Sequence, residues 1–346
     1  MASIVVSVAL LAGVLVFLMP NLPDVSAVWS SISAMSWPEL ALLAAVAAWN
    51  LLTYCLVTAA ATPGLTLRQA FVVTQSSTAV ANTVPAGSAI SIGLTYAILG
   101  SWGFSKSRST VSLVVTGVWN NFVKLGTPVL ALALLAFEGE ATPPRVLAGI
   151  VGIGVLVATV ATFALMLRTE AFAGAVGRRA AALASPVHRL LHRPPAQGWD
   201  RATVDFRHRV VGLVRHSWLR LTITTLVSHL SLFVLLLVVL RGVGVPQSDV
   251  SWIQALAVFA FVRLLTAVPV MPGGLGFVEL GLIGGLQSAG GDPAPVVAAV
   301  LVFRSLTFLL PIGIGLGTYV FWRRNRSWRG SAASLDPSGA PEAMTP

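Results

Sequence analysis

Four ionisable side chains interrupt long apolar stretches of the sequence: Lys124, Arg263, Glu279 and Arg304. An ionised group inside a bilayer is costly unless it is paired or wetted, so each of these residues is a candidate functional residue. Three cations against one carboxylate leave an excess of positive charge, which would favour a phosphate or another anion in a cavity that they line. Glu279 is expected to pair with Arg263 or Arg304, and a purely structural salt bridge is the alternative.

The apolar segments 70–100 and 252–287 are each interrupted in the middle by proline and glycine. Proline removes a backbone donor and glycine allows unusual dihedral angles, so a half-helix can begin at each break with free N–H groups that point into the membrane. Such helix N-termini are anion-binding sites, and a kink without function is the alternative. The candidate binding residues at the breaks are Asn82, Pro85 and Gly87, then Pro272, Gly273, Gly274 and Gly276.

Lys124 lies on a helical face that also carries two asparagines. Asn120 and Asn121 precede Lys124 by four and three residues, so the three side chains share a face, and both asparagines are added to the candidate binding residues. No catalytic residue, metal site or cofactor is predicted. The five histidines and the single cysteine have no metal-binding spacing, and no G-x-x-x-x-G-K-[ST] phosphate loop or Ser, His and Asp cluster occurs.

Further polar residues lie within the apolar segments. The run 75–77 (Gln-Ser-Ser) precedes the first break, and Asn50 and Tyr54 are one helical turn apart. They are interpreted as helix-packing hydrogen bonds first and as substrate contacts second. His229 could relay a proton, although a single histidine in a span is more often a packing residue.

The composition indicates which elements must hold these side chains. Of 346 residues, 56% are hydrophobic and 10% are charged, whereas a soluble domain carries about 25% charged residues. The sequence therefore predicts an all-α polytopic membrane protein. Together with the two broken segments, up to eight spans are expected, and the six full helices are predicted at 2–19, 38–60, 109–137, 147–167, 221–240 and 294–322.

The basic residues predict the topology. Segment 168–220 carries ten arginines and the tail after the last span carries four, so both are assigned to the cytoplasm. Parity then requires each broken segment to be a re-entrant hairpin, and it places the N-terminus in the cytoplasm as well. The net charge of +10 is thereby assigned to a membrane surface rather than to nucleic acid. Within the cytoplasmic segment, 203–220 is predicted to be a basic interfacial helix, with a solvated loop as the alternative.

The predicted spans contain an internal repeat. A helix, a broken hairpin and a helix follow one another twice, in opposite orientations, which predicts an inverted-topology repeat with a binding site near the midplane. The predicted domain is therefore an integral membrane unit over 1–325. Its halves, about 1–167 and 221–325, are joined by the basic cytoplasmic loop 168–220, and 326–346 is predicted to be a disordered cytoplasmic tail.

Residues 272–279 read P-G-G-L-G-F-V-E. This stretch resembles the P-G-G-L-G-x-x-E signature of the lysylphosphatidylglycerol synthase transmembrane family, which consists of flippase-like integral membrane proteins. The first break, followed by Trp119-Asn120-Asn121 and Lys124, is similar in placement to the first polar hairpin of that family. The resemblance covers most of residues 1–325 and implies a module that moves a lipid with an anionic or modified headgroup between leaflets. The soluble transferase domain of the full-length synthases is not expected here, so aminoacyl transfer is not carried over.

The residues and the resemblance together predict translocation of an anionic phospholipid or a polyprenyl-phosphate-linked lipid across the plasma membrane, without enzymatic activity. The partners are the membrane and an anionic lipid headgroup, and the headgroup phosphate is expected to bind the second break, Arg263 and Arg304. Glu279 would orient one arginine or accept a proton. Two alternatives stay open: an intramembrane transferase acting on a polyprenyl phosphate with Glu279 as general base, and a scaffold for envelope biosynthesis whose segment 168–220 recruits a partner.

Overall fold

Every secondary-structure element in the part of the chain that the structure describes is a helix. The computed structural model describes residues 33, 35–84, 87–139, 143–190, 199–266 and 274–325. The helices are α1 (Trp37–Ala61), α2 (Leu67–Thr83), α3 (Gly87–Ser101), α4 (Lys106–Phe137), α5 (Pro143–Arg168), α6 (Glu170–Leu190), α7 (Trp199–Gly242), α8 (Trp252–Leu265), α9 (Phe277–Ser288), α10 (Pro293–Arg304), the π-helical turn Ser305–Leu309 and α11 (Leu310–Arg324). The predicted helix 2–19, the tail 326–346 and three candidate residues, Pro85, Pro272 and Gly273, lie outside the described residues.

Five helical stretches are long and apolar enough to cross a membrane: Trp37–Ala61, Lys106–Phe137, Pro143–Arg168, Thr203–Gly242 and Pro293–Arg324. They coincide with five of the six predicted spans, and the all-helical polytopic fold is confirmed. Hydropathy locates these helices because a run of about 20 apolar residues covers the hydrocarbon core at a rise of about 1.5 Å per residue.

The two broken segments form helical hairpins. Their arms α2, α3, α8 and α9 contain 17, 15, 14 and 12 residues, and each is shorter than the roughly 20 residues that a full crossing needs. The arms of each hairpin pack against one another. At the tip of the first hairpin, a Cβ on Gly87 would lie 2.5 Å from the carbonyl oxygen of Val80, so the turn requires glycine at this position.

The first arms of the two hairpins begin in the same way. Thr66 and Gln69 form a capping box at the start of α2, and Ser251 and Gln254 form one at the start of α8. In each box the hydroxyl accepts a hydrogen bond from the backbone of the glutamine while the glutamine side chain accepts one from the cap residue. The pattern [ST]-x-x-Q-A therefore marks equivalent points in the two halves.

The packing of the helices follows the inverted repeat. Helix α1 packs against its counterpart α7, α2 packs against α11, and the equivalent arm α8 packs against α4. Each hairpin thus lies against the helix that follows the hairpin of the opposite half. The α2–α11 contact is close, since a Cβ on Gly315 of α11 would overlap the backbone carbonyl of Gln75. In contrast, no described residue of α5 is buried, which places this helix at the periphery against α4.

Segment 168–220, predicted as a loop, is largely helical over its described residues, and the helix predicted at 203–220 is present but is not a separate element. The segment folds into α6 and the first part of α7, which continues without a break into the membrane span. No proline occurs between 199 and 241 to end the helix. At 44 residues, α7 is about 66 Å long, which is twice the thickness of the hydrocarbon core. In the first part of α7, Val210 is buried in a cluster with Val111 and Val115 of α4.

Candidate functional site

A cavity of about 570 Å³ lies between the two halves. Its lining includes the three buried cations of the sequence analysis, Lys124 from α4 in the first half and Arg263 and Arg304 from α8 and α10 in the second. Arg263 and Arg304 follow Lys124 in the sequence by 139 and 180 residues, so only the packing of the halves brings the three side chains together. The volume falls within the range of about 300–1,000 Å³ that small-molecule sites occupy.

Arg304 is held by a short ion pair. Its Nε donates to Oε1 of Glu279 at 2.6 Å, and the side chains of Arg304 and Glu279 are 11% and 16% exposed. The guanidinium also stacks on the ring of Phe308, 4.8 Å from the centroid. Of the two partners predicted for Glu279, the structure selects Arg304. The second carboxylate oxygen, Oε2, is buried and has no hydrogen-bond partner among the described residues.

A π-helical turn follows Arg304 directly. Pro311 lacks the N–H that would bond to the carbonyl of Thr307, and in the turn Ser305–Leu309 the N–H of Leu310 donates to the carbonyl of Ser305. Turns of this kind occur as single bulges within α-helices, often at functional sites. Both Thr307 and Phe308 line the cavity, so the turn contributes directly to the wall beside Arg304.

Arg263 and Lys124 have no carboxylate partner among the described residues. The Nε of Arg263 is buried without a hydrogen-bond partner there. Arg263 is close enough to both Lys124 and Arg304 for their like charges to interact. Three cations thus face one cavity with a single carboxylate nearby, and the electrostatic balance of the site favours an anion.

The first half contributes most of the uncharged polar lining. Asn50 of α1 donates from Nδ2 to Oγ of Ser231 at 2.8 Å, and Asn120 of α4 donates from Nδ2 to the carbonyl of Thr116 at 2.9 Å. Each bond leaves the amide oxygen of the asparagine available as an acceptor. Asn50, first interpreted as a packing residue, therefore both packs against α7 and lines the cavity.

The structure brings together part of the predicted set of site residues. Lys124, Arg263, Arg304, Asn82, Asn120 and Gly274 line the cavity, and Glu279 contacts it through Arg304. Three others do not line it: Asn121 and Gly276 are exposed, and Gly87 is buried at the hairpin tip. Gly276 is the N-cap of α9 with a φ of +80°, a conformation that favours glycine.

His229 lies outside the cavity lining. It is 7% exposed, and its Nδ1 bonds to the carbonyl of Thr225 at 3.0 Å, as expected for a histidine that packs within a helix bundle. Sequence reasoning did not select Phe308 or Ser88, which both line the cavity. The spacing of Phe308, four residues after Arg304, is the signal that could have identified the stacking partner.

Long apolar helices, two helical hairpins and a cationic cavity between the halves define a multi-pass integral membrane protein. The chain belongs to the family described as the lysylphosphatidylglycerol synthase TM region, whose family model matches residues 4–315. The family expected from the glycine-rich motif is thereby confirmed. No curated protein matches the chain. Family membership links this membrane protein to lipid modification or lipid translocation.

Proposed function

We propose that the chain translocates an anionic lipid between the leaflets of the plasma membrane, with both termini in the cytoplasm. The observation that carries the proposal is the cavity between the halves, where Lys124, Arg263 and Arg304 meet and one carboxylate is nearby. Buried like charges are costly unless a counter-ion neutralises them. The phosphate of an anionic phospholipid or a polyprenyl phosphate supplies that counter-charge.

The arrangement of the halves supports transport. In inverted-repeat transporters, rocking of one repeat against the other exposes a central site to each side in turn. Here the cations come from both halves, so a phosphate bound between Lys124 and Arg263 would contact both moving units. A ligand held in this way stays bound at the centre while the access route changes.

Transport without chemistry is favoured over the alternative of an intramembrane transferase. A general base must reach the proton that it abstracts. Glu279, the residue suggested for that role, does not line the cavity, and its Oε1 is engaged by Arg304. Purified protein that forms a new lipid product from a polyprenyl phosphate and a donor would instead support the enzyme.

The test is a leaflet-exchange assay in proteoliposomes that contain acyl-labelled anionic lipids. Wild type should exchange an anionic lipid faster than protein-free vesicles, and Arg263→Gln and Lys124→Gln should each slow exchange at least about tenfold, since each removes a charged contact to phosphate. Arg215→Gln, at an exposed position of α7, is the matched control and should exchange at the wild-type rate. Equal rates in Arg263→Gln and Arg215→Gln would contradict the proposal.

A further inference from the structure

The two halves give the cavity chemically different walls. The second half supplies both arginines together with apolar side chains such as Phe259, Val262 and Phe303. The first half supplies Lys124 and a polar wall of uncharged side chains, which we define by Asn50, Tyr54, Gln75, Thr78, Asn82 and Asn120. A ligand between the walls meets two arginines on one side and amides, hydroxyls and Lys124 on the other.

The polar wall has hydrogen-bonding capacity that the fold leaves unused. The amide oxygens of Asn50 and Asn120 remain free when their Nδ2 groups donate to Ser231 and Thr116. The side chains of Tyr54 and Asn82 line the cavity beside them. Amides and phenols both donate and accept, as the hydroxyl groups of a polyol do. A headgroup without hydrogen-bonding groups would leave the amides and hydroxyls of the polar wall without partners.

No carboxylate lines the cavity among the described residues. Glu279 does not compensate for this, because its Oε1 binds Arg304 and its Oε2 is buried away from solvent. An ammonium group in the cavity would therefore lie beside three cations, while the nearest carboxylate is already engaged by Arg304. Like charges in a partly buried site repel strongly. Unpaired charge is a common means of rejecting a wrong ligand.

We infer that the lipid headgroup is a phosphate that carries an uncharged polyol, either glycerol or a sugar, and that the cavity rejects aminoacylated headgroups. The phosphate lies toward Arg263 and Lys124, and the hydroxyl groups bond to the polar wall. This inference rests on the proposed function and narrows its substrate. It also predicts that the chain does not translocate a lysylated lipid.

The test compares four lipids that carry a fluorescent label in the hydrophobic tail, in the same proteoliposomes: phosphatidylglycerol, a polyprenyl phosphomannose, phosphatidic acid and lysylphosphatidylglycerol. One of the two polyol lipids should exchange at least about tenfold faster than the lysylated lipid, and the faster of the two identifies glycerol or a sugar as the source. Phosphatidic acid, which lacks the polyol, should exchange more slowly than the preferred lipid.

A charge added to the polar wall provides a positive control. Asn82→Asp should reduce the preference against the lysylated lipid at least about threefold, because the new carboxylate opposes the cations. If Asn82→Asp folds poorly, Asn120→Asp on α4 tests the same wall. Gln247→Glu is the matched control: it adds a charge at an exposed position outside this cavity and should leave the preference unchanged.

The outcomes separate the two proposals. Equal exchange of lysylated and unmodified phosphatidylglycerol would overturn the headgroup inference and leave lipid translocation standing. Equal exchange of phosphatidic acid and the polyol lipids would also overturn it, since the polar wall would then contribute nothing. If folded wild type exchanges none of the four lipids, the proposed function itself fails.

Discussion

Replacement of Glu279 by glutamine tests how the cationic cavity is stabilised. The change keeps the size of the side chain and one acceptor but removes the charge that opposes Arg304. The two side chains are 16% and 11% exposed, and the Nε to Oε1 distance is 2.6 Å. Breaking a buried ion pair by neutralising one partner costs about 3–5 kcal/mol, because the other charge is left uncompensated. We expect a loss near the lower end, about 3 kcal/mol, since glutamine still accepts a hydrogen bond.

A second ion pair in the same chain is the matched control. Glu170 of α6 accepts from Arg207 of α7 at 3.5 Å, but its side chain is 59% exposed. Solvent-exposed pairs contribute about 0–1 kcal/mol, so Glu170→Gln should have little effect on stability. Both variants would be compared by denaturant titration of the purified protein in detergent. The added variant Arg304→Gln and the double variant complete a cycle that isolates the interaction between the two residues.

The cycle gives a clear refutation. A coupling of at least about 1 kcal/mol between Glu279 and Arg304 is expected for residues in direct contact. Glu279→Gln also leaves three cations without a carboxylate, so an anionic lipid should stabilise this variant more than it stabilises wild type. If Glu279→Gln is no more destabilising than Glu170→Gln and the coupling is zero, the ion pair does not stabilise the cavity.

Two further predictions concern the hairpins and the topology. A Cβ on Gly285 of α9 would lie 2.5 Å from Cγ1 of Val258 on α8, so Gly285→Ala should lower the free energy of unfolding by about 1–3 kcal/mol through overpacking. Gly284→Ala, whose added Cβ has open space, should be neutral or slightly stabilising in the same titration, and equal losses in both variants would argue against close packing of the arms. For the topology, a membrane-impermeant maleimide on intact cells should label Ser248→Cys and spare His216→Cys, with little background because the native cysteine is buried. Labelling of both from outside would contradict the cytoplasmic assignment of the first part of α7.

The spans and the breaks could be predicted from local sequence. Each full helix is a long apolar run. Each hairpin has a break that hydropathy and glycine content reveal, after Asn82 in the first and around Gly274 in the second. The continuity of α7 through 203–220 was not predicted, because the spans were located as charge-free runs and Arg220 ends the run that begins at residue 221. Arginine has a good helix propensity, and no proline occurs between residues 199 and 241, so the charged residues do not end the helix.

The ionisable residues themselves were visible in the sequence, since a charge within an apolar run is conspicuous wherever it occurs. Their partners were not. Glu279 pairs with Arg304, 25 residues away, and not with Arg263, 16 residues away, because the choice depends on how α8, α9 and α10 pack. The meeting of Lys124 with the two arginines, and the polar wall that faces the arginines, likewise exist only after the halves associate. Hydropathy and charge are properties of single segments, so the sequence by itself determines the spans and predicts their orientation. An ion pair or a cavity depends on distances between segments, which only the tertiary packing decides.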